Sequence, residues 1–385
     1  MIEITNKKDC CGCFACANIC PKSCIEMLSD NEGFLYPKVY KDKCVDCGLC
    51  EKVCPIINKP KTAENKQTAL AVINKDESIR LNSSSGGVFS LLASNIIENG
   101  GVVFGAALSE DCKSASHISA QTLQELELLR GSKYVQSKIG NTYKEVKTFL
   151  ENGKKVLFSG TPCQVSGLYT FLGKEYENLF TCDFICHGVP SPLVWEKYVE
   201  LREKKAASKT RRTFFRHKKY GWKMYSVQFI FKNCTEYIQI INNDLYMRGF
   251  LANLYLRPSC YDCKFKGINR PSDITLADFW GVEKVCPEMY DNKGTSLLIL
   301  NSDNGKKLFG LISDGTVNKE VDLNVAISFN SAAIKSVVVP QKRNDFFADL
   351  NSIPTKKLFK KYCKPTAKQK IRRVVGGILR KMKLK

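Results

Sequence analysis

A cysteine pattern written twice in the first sixty residues constrains this chain more than anything else in it. Cys10-x2-Cys13-x2-Cys16-x3-Cys20-Pro21 is followed 34 residues later by Cys44-x2-Cys47-x2-Cys50-x3-Cys54-Pro55. Three thiolates at short intervals wrap a tight loop round one face of a cube, and the proline ends the loop where the chain turns away. This is the spacing of two [4Fe–4S] clusters in which the fourth cysteine of each run ligates the other run's cluster. Cluster one is therefore assigned to Cys10, Cys13, Cys16 and Cys54, and cluster two to Cys44, Cys47, Cys50 and Cys20. Structural zinc sites pair two CxxC units at long separation and do not set a fourth cysteine before proline. Cys11 and Cys24 fall outside the ligand spacing and read as packing residues or spare thiols.

Composition decides which setting those thiolates occupy. The chain holds 19 cysteines in 385 residues and opens without a hydrophobic leader, so the expected setting is a reducing cytoplasm with thiolates kept for metal. No apolar run reaches the roughly 20 residues that a membrane-spanning helix needs. The net charge of +21 is unevenly spread: residues 356–385 carry thirteen Lys or Arg and no acid, which leaves +8 for everything before them. The cysteine-rich start is nearly neutral, with seven Lys against eight acids in residues 1–58. The excess charge is thus a property of the tail, and no nucleic-acid partner is expected.

Residues 1–58 are expected to form a ferredoxin-like module, followed by a polar linker over 59–68. From Ala69 onward, short apolar strands alternate with helical stretches. Strands are expected at Ala69–Ile73, Val102–Leu108, Lys155–Phe158 and Leu179–Ile185, and helices from Ser83 to about Ile97, at Thr122–Arg130, Asn141–Leu150 and Pro192 to about Lys205. Such alternation predicts an α/β layer with much of its sheet parallel. Thr213–Arg216, Tyr225–Phe231 and Tyr237–Ile241 read as an antiparallel insertion. A helix at Asp244–Ala252 follows, and Ile274–Ala277 and Ser296–Leu300 are expected to rejoin the main sheet. The fold class is α+β: the ferredoxin-like module, an α/β domain with its insertion over 69–340, and a basic tail over 341–385.

Four further cysteines stand at loop or element-end positions. Cys163 follows a strand in Ser159-Gly160-Thr161-Pro162-Cys163-Gln164. Thr161 can cap a helix that starts at Pro162, which places Cys163 at the helix's positive end, where a thiolate is stabilised. Cys186 follows the strand that begins at Leu179, with Cys182 as an alternative four residues earlier. Cys260-Tyr261-Asp262-Cys263 lies in a loop. Spacing alone leaves two readings open, a metal site or buried cysteines beside a CxxC half-site.

Six ordered motifs then carry a resemblance over roughly residues 1–340. They are Ser84-Ser85-Gly86-Gly87, Gly131-Ser132-Lys133-Tyr134-Val135-Gln136-Ser137, Ser159-Gly160-Thr161-Pro162-Cys163-Gln164, Cys186-His187-Gly188, Cys260-Tyr261-Asp262-Cys263 and Asp278-Phe279-Trp280-Gly281. Together they resemble the coenzyme F420 hydrogenase/dehydrogenase β-subunit family. The resemblance implies an oxidoreductase with FAD in the α/β domain, a third [4Fe–4S] cluster on Cys163, Cys186, Cys260 and Cys263, and the ferredoxin module relaying electrons to a redox partner protein or ferredoxin. It implies hydride transfer between the flavin and a soluble substrate, coenzyme F420 in the family's named members.

Within it, Ser85, Gly86 and Gly87 are candidates for FAD contact, since glycines before a helix N-terminus let a phosphate approach backbone N–H groups. The stretch is not a GxGxxG fingerprint, so a standard dinucleotide fold is not supported. Lys133 can set a cation near a diphosphate or the flavin ring, and Thr161 and Gln164 can donate to flavin or cluster sulfur. His187 can position substrate or carry a proton, and with Lys133 is the candidate catalytic residue. Phe279 and Trp280 are read as shielding a redox centre.

Two other readings remain open: a non-catalytic electron-transfer subunit, and a reductase acting on a membrane-linked sugar or lipid without F420. The tail bears on the second. Ile371, Val374, Val375, Ile378, Leu379 and Met382 make an apolar stripe among Lys and Arg, suited to the anionic inner face of the cell membrane or to an acidic partner.

Overall fold

The computed structural model describes residues 1–60 and 66–364. Within the module, strands β1 (Ile25–Ser29) and β2 (Leu35–Val39) pair as an antiparallel hairpin. The sequence repeat is also a backbone repeat. Gly12 and Phe14 in the first run take left-handed φ values of 70° and 67°, and Asp46 and Gly48, each 34 residues on, take 47° and 71°. A short helix follows each loop, Ala15–Ile19 and Leu49–Lys52.

The body is built on a sheet of eight strands. In chain order these are β3 (Thr68–Asn74), β4 (Val102–Leu108), β5 (Ala115–Ala120), β6 (Val156–Ser159) and β7 (Leu179–Phe184), followed beyond an insertion by three more. The insertion is a separate antiparallel sheet of β8 (Thr210–His217), β9 (Ser226–Phe231) and β10 (Glu236–Ile240). Strands β11 (Ile274–Asp278), β12 (Ser296–Leu300) and β13 (Thr316–Val321) then complete the main sheet in the order β13-β3-β12-β11-β7-β6-β4-β5. Its centre, β11-β7-β6-β4, is parallel, and the strands on either flank pair antiparallel. Central strands buried on both faces read as apolar runs, whereas half-exposed edges do not.

This agrees with the α+β reading, the parallel layer and the insertion. Three elements differ. The edge strands β5 and β13 are polar and partly exposed, so they carry no apolar run to announce them. A short helix, Glu77–Asn82, precedes the Ser83–Gly87 loop, so that loop joins two helices rather than a strand and a helix.

Four apolar clusters hold the body together. One sheet face packs on helices Val88–Glu98 and Leu123–Leu129. The other packs on Thr142–Glu151 and Pro162–Leu172, and this core continues without a break into the module, where Cys13, Phe14, Ala15 and Val53 join Val102, Tyr143 and Phe171. The insertion closes over helix Pro192–Ala206 around Trp195, Tyr198, Phe215 and Phe229. Phe346, Leu358, Phe359 and Cys363 belong to the same core, so residues up to Cys363 are packed on the body. Helix Thr355–Cys363 turns Lys356, Lys357, Lys360 and Lys361 outward; the stripe from Ile371 to Met382 lies outside the described residues. Among the described residues, no helix is long and apolar enough to cross a membrane.

Candidate functional site

The two cysteine runs cross. Cys20 of the first run lines a recess with Cys44, Cys47 and Cys50 of the second. Cys54 of the second lies near Cys16 and Cys10 of the first, close enough that burial and these neighbours push the Cys16 thiol well up. Backbone amides point at sulfur: Ile2 N donates to Cys50 Sγ at 3.3 Å and Cys24 N to Cys20 Sγ at 3.4 Å. Cys24 also brings its own sulfur to 3.3 Å from that of Cys20. A fully buried Arg257 reaches in from the body. Its Nε donates to the Cys10 carbonyl at 2.8 Å, and its Nη2 faces Cys10 Sγ at 3.5 Å and the Leu35 carbonyl at 3.0 Å.

Buried thiolates that raise one another are stable only with cations among them, which suits iron. Among the described residues, no three Cys, His, Asp or Glu side chains converge tightly enough to grip one metal ion. A cubane needs the opposite arrangement, since each sulfur binds a different iron and the four must stand apart around a larger body.

The later cysteines come together in a second recess. Cys163 is the second residue of its helix, behind Thr161 and Pro162; Cys186 lies two residues past β7; Cys260 sits in the turn Pro258–Asp262, and Cys263 follows it. Val189 N donates to Cys260 Sγ at 3.4 Å. Gly188, at φ 147°, passes so close that a Cβ there would lie 2.9 Å from Leu256 and 3.3 Å from the Cys260 Cβ. Burial, reinforced by Cys163 and Cys263, pushes Cys186 up to about 12. Cys182 is inside β7 among apolar side chains and does not reach this recess. Cys11, outside the ligand spacing, does reach it. Its thiol touches Cys13 on one side and Cys163 on the other, and with Lys8 and Ile56 it forms the module's share of the wall.

A cavity of about 690 Å³ opens on the far side of that recess and shares Thr161, Cys186, His187, Gly188 and Val189 with it. It lies at the carboxyl ends of the parallel strands, where open α/β sheets bind ligands because the loops there diverge. Ser85 and Gly87 line it, as do the first residues of helix Val88–Glu98, whose N–H groups have no side-chain cap. Gly86 does not face the cavity. Its N–H donates to Ser296 Oγ at 2.9 Å, and it is pressed against β3 and β12.

Other expected residues line the cavity with their groups partly committed. Ser85 Oγ donates to the Thr295 carbonyl at 2.9 Å. Gln164 Oε1 accepts from Thr161 N at 3.0 Å while its Nε2 donates to Ser137 Oγ at 3.1 Å, so its amide is spent on holding the Thr161 turn. Thr161 Oγ1 lies 3.1 Å from Cys163 Sγ. His187 Nε2 is 2.7 Å from Asn253 Oδ1, and burial pushes the ring below its usual value. Lys133 Nζ donates to the Arg130 carbonyl at 3.0 Å; burial, with Arg212 adding, pushes the ammonium down to about 7. Trp280 faces the cavity, stacked on Trp222 at 5.0 Å, whereas Phe279 is turned into the core.

Two wall residues carry no sequence signal. His117 sits on β5 with Nε2 3.0 Å from the Ser159 carbonyl, so that nitrogen holds the proton and Nδ1 is left as a buried acceptor without a partner. Burial pushes this ring down to about 4, which keeps it neutral. Arg216 on β8 is paired with Asp278, yet its Nε and Nη2 are buried and have no hydrogen-bond partner. Orphaned donors and acceptors lining one cavity call for a polar ligand.

Comparison with known proteins matches these parts separately. Residues 9–56 match the 4Fe-4S dicluster domain, and residues 153–324 match the family described as the C terminus of the coenzyme F420 hydrogenase/dehydrogenase beta subunit. An uncharacterized protein of Methanocaldococcus jannaschii is 26% identical over 208 residues, which is 46% of this chain and 56% of that protein. The chain thus spans little more than half the length of that relative. Ferredoxin-1 of Caulobacter vibrioides is 34% identical over 67 residues, 17% of this chain and 55% of the ferredoxin. A solved structure of the F420-reducing [NiFe] hydrogenase complex from Methanosarcina barkeri is similar at a TM-score of 0.47 and 15% identity, over 77% of this chain and 89% of that one.

Proposed function

We propose that the chain is an iron–sulfur flavoprotein oxidoreductase, a reading supported by the match of residues 9–56 to the 4Fe-4S dicluster domain and of residues 153–324 to the C terminus of the coenzyme F420 hydrogenase/dehydrogenase beta subunit. One observation carries the reading: the Cys163/Cys186/Cys260/Cys263 recess has the module on one side and the large cavity on the other, with walls in common with each. Electrons leaving the module meet that recess before they meet the cavity.

Cys10, Cys13, Cys16 and Cys54 would hold cluster one, Cys44, Cys47, Cys50 and Cys20 cluster two, and the four later cysteines a third. FAD in the cavity would supply the exchange between one-electron transfer and hydride transfer to a soluble substrate, with coenzyme F420 as the first candidate. The residues do the rest. The uncapped N–H groups of Val88, Phe89 and Ser90 and the Lys133 ammonium favour an anionic part of the ligand. His117 Nδ1 accepts a hydrogen bond from an N–H or O–H group of the ligand, and Trp280 shields the cavity from water. His187, on the wall common to recess and cavity, orients whatever docks there through its link to Asn253. A relay that carried electrons without flavin would leave both the cavity and its orphaned polar groups without use.

Anaerobic reconstitution with iron, sulfide and FAD tests this directly. Twelve irons and one FAD per chain are expected, and Cys163→Ser should lose four irons and keep eight. Eight irons in the wild type would remove the third cluster. Full cluster content with no flavin bound at micromolar FAD would sink the hydride-transfer reading.

A further inference from the structure

A smaller cavity, of about 200 Å³, opens beside the large one and shares Ser83, Ser84, Arg130, Lys133 and Arg216 with it. Its charge is lopsided. Arg130, Lys133, Arg212 and Arg216 face it against one carboxylate, Glu127, which Arg130 already holds at 2.6 Å. Among the described residues, no carboxylate lies within ion-pair reach of Lys133 or Arg212. Arg216 is held by Asp278 through Nη1 and lies over the ring of Tyr225 at 4.1 Å, while its buried Nε and Nη2 have nothing to bond.

The backbone accounts for the burial of Arg216. Strict alternation along β8 would put Arg216 on the same face as the exposed Arg212. The ladder to β9 slips between Phe214 and His217, and Arg216 is buried although Arg212 is not. Bulges re-aim side chains in this way beside binding sites. Arg130 and Arg216 each hold one carboxylate already, yet the buried Nε and Nη2 of Arg216, with Arg212 and Lys133 beside them, remain open to an oxygen-rich anion, which satisfies several guanidinium N–H groups at once.

We infer that this annexe binds a phosphate group of a ligand that extends from the main cavity. The inference rests on reading the main cavity as the flavin site. Phosphate can reach it from two sources, the diphosphate of FAD itself or a phosphorylated second substrate lying against the flavin.

Arg212→Gln separates the possibilities, because Arg212 is exposed on an edge strand and its loss leaves the core intact. Dissociation constants would be measured for riboflavin, FMN and FAD on cluster-loaded, flavin-free protein, and for inorganic diphosphate on FAD-loaded protein. Loss of one charge-assisted contact predicts about a tenfold weakening of the phosphate-bearing ligand with riboflavin unchanged. Weakened FAD or FMN makes the flavin the source. Unchanged flavin affinities with diphosphate binding lost from the FAD-loaded variant make it a second substrate. If neither changes, the annexe is not a phosphate site, although flavin binding stands. If the wild type binds no flavin at all, the flavin reading fails separately. Diphosphate titration of wild type against variant, repeated on that flavin-free protein, then decides the annexe: weakening in the variant supports it and equal binding overturns it.

Discussion

Cys11 stands one residue after a proposed ligand of cluster one, yet its sulfur bridges the distance between Cys13 and Cys163. If the ligand sets are complete without it, Cys11→Ala should retain twelve irons and lose only about 1 kcal/mol through the small void it leaves. Iron per chain after anaerobic reconstitution is the measurement, and a loss of four irons would make Cys11 a ligand in place of Cys13 or Cys163. The residues differ in how far they could be foreseen. Cysteines spaced within one loop are legible as a set because the loop itself fixes their geometry. Cys163 and Cys186 come to the recess of Cys260 only through the tertiary fold, so spacing left them open and the flanking motifs singled them out. Arg216, Arg257 and His117 had neither. A lone cation or ring has no periodic neighbours, and each gains its role from partners distant in the chain, 247 residues away in the case of Arg257 and Cys10.

Elements with buried faces were foreseeable for the same physical reason that edge strands were not. The central strands β4, β6 and β7 are mostly apolar because they lie between two helical layers, while β13 exposes most of its side chains and joins the sheet at its edge through the backbone ladder to β3. Helix Pro162–Leu172 shows what a correctly placed element still conceals. Gly167 in its interior is unfavourable by helix propensity, by about 1 kcal/mol against alanine. Its place explains it: a Cβ there would lie 2.8 Å from the Cys13 Cβ and 2.9 Å from the Tyr143 hydroxyl. The helix approaches the first cysteine loop because this position has no side chain. Gly167→Ala is therefore expected to destabilise by about 1–3 kcal/mol despite the better propensity, since overpacking outweighs it. Thermal unfolding of the holoprotein gives the sign, and a raised Tm would show that the module can move aside at little cost.

The module and the body form one unit, and the contacts between them are of two kinds. Arg343 holds Glu32 through two bonds of 2.8 and 2.5 Å, with both side chains largely buried, and Asn18 donates to the Gly140 carbonyl at 2.8 Å; these fix position. Arg257 fixes position too, through the Cys10 and Leu35 carbonyls, but it also lies against Cys10 Sγ. Positive charge and hydrogen bonds at cluster sulfur favour the reduced, more negative state, so they raise the potential. Arg343→Met and Arg257→Met should each cost on the order of 3 kcal/mol, because each strands buried partners. Only Arg257→Met should move a cluster potential, and it should move it to a more negative value. Redox titration followed by electron paramagnetic resonance separates the two variants. Equal shifts in both would mean that docking as a whole sets the potential, and that the Arg257 guanidinium has no particular hold on cluster one.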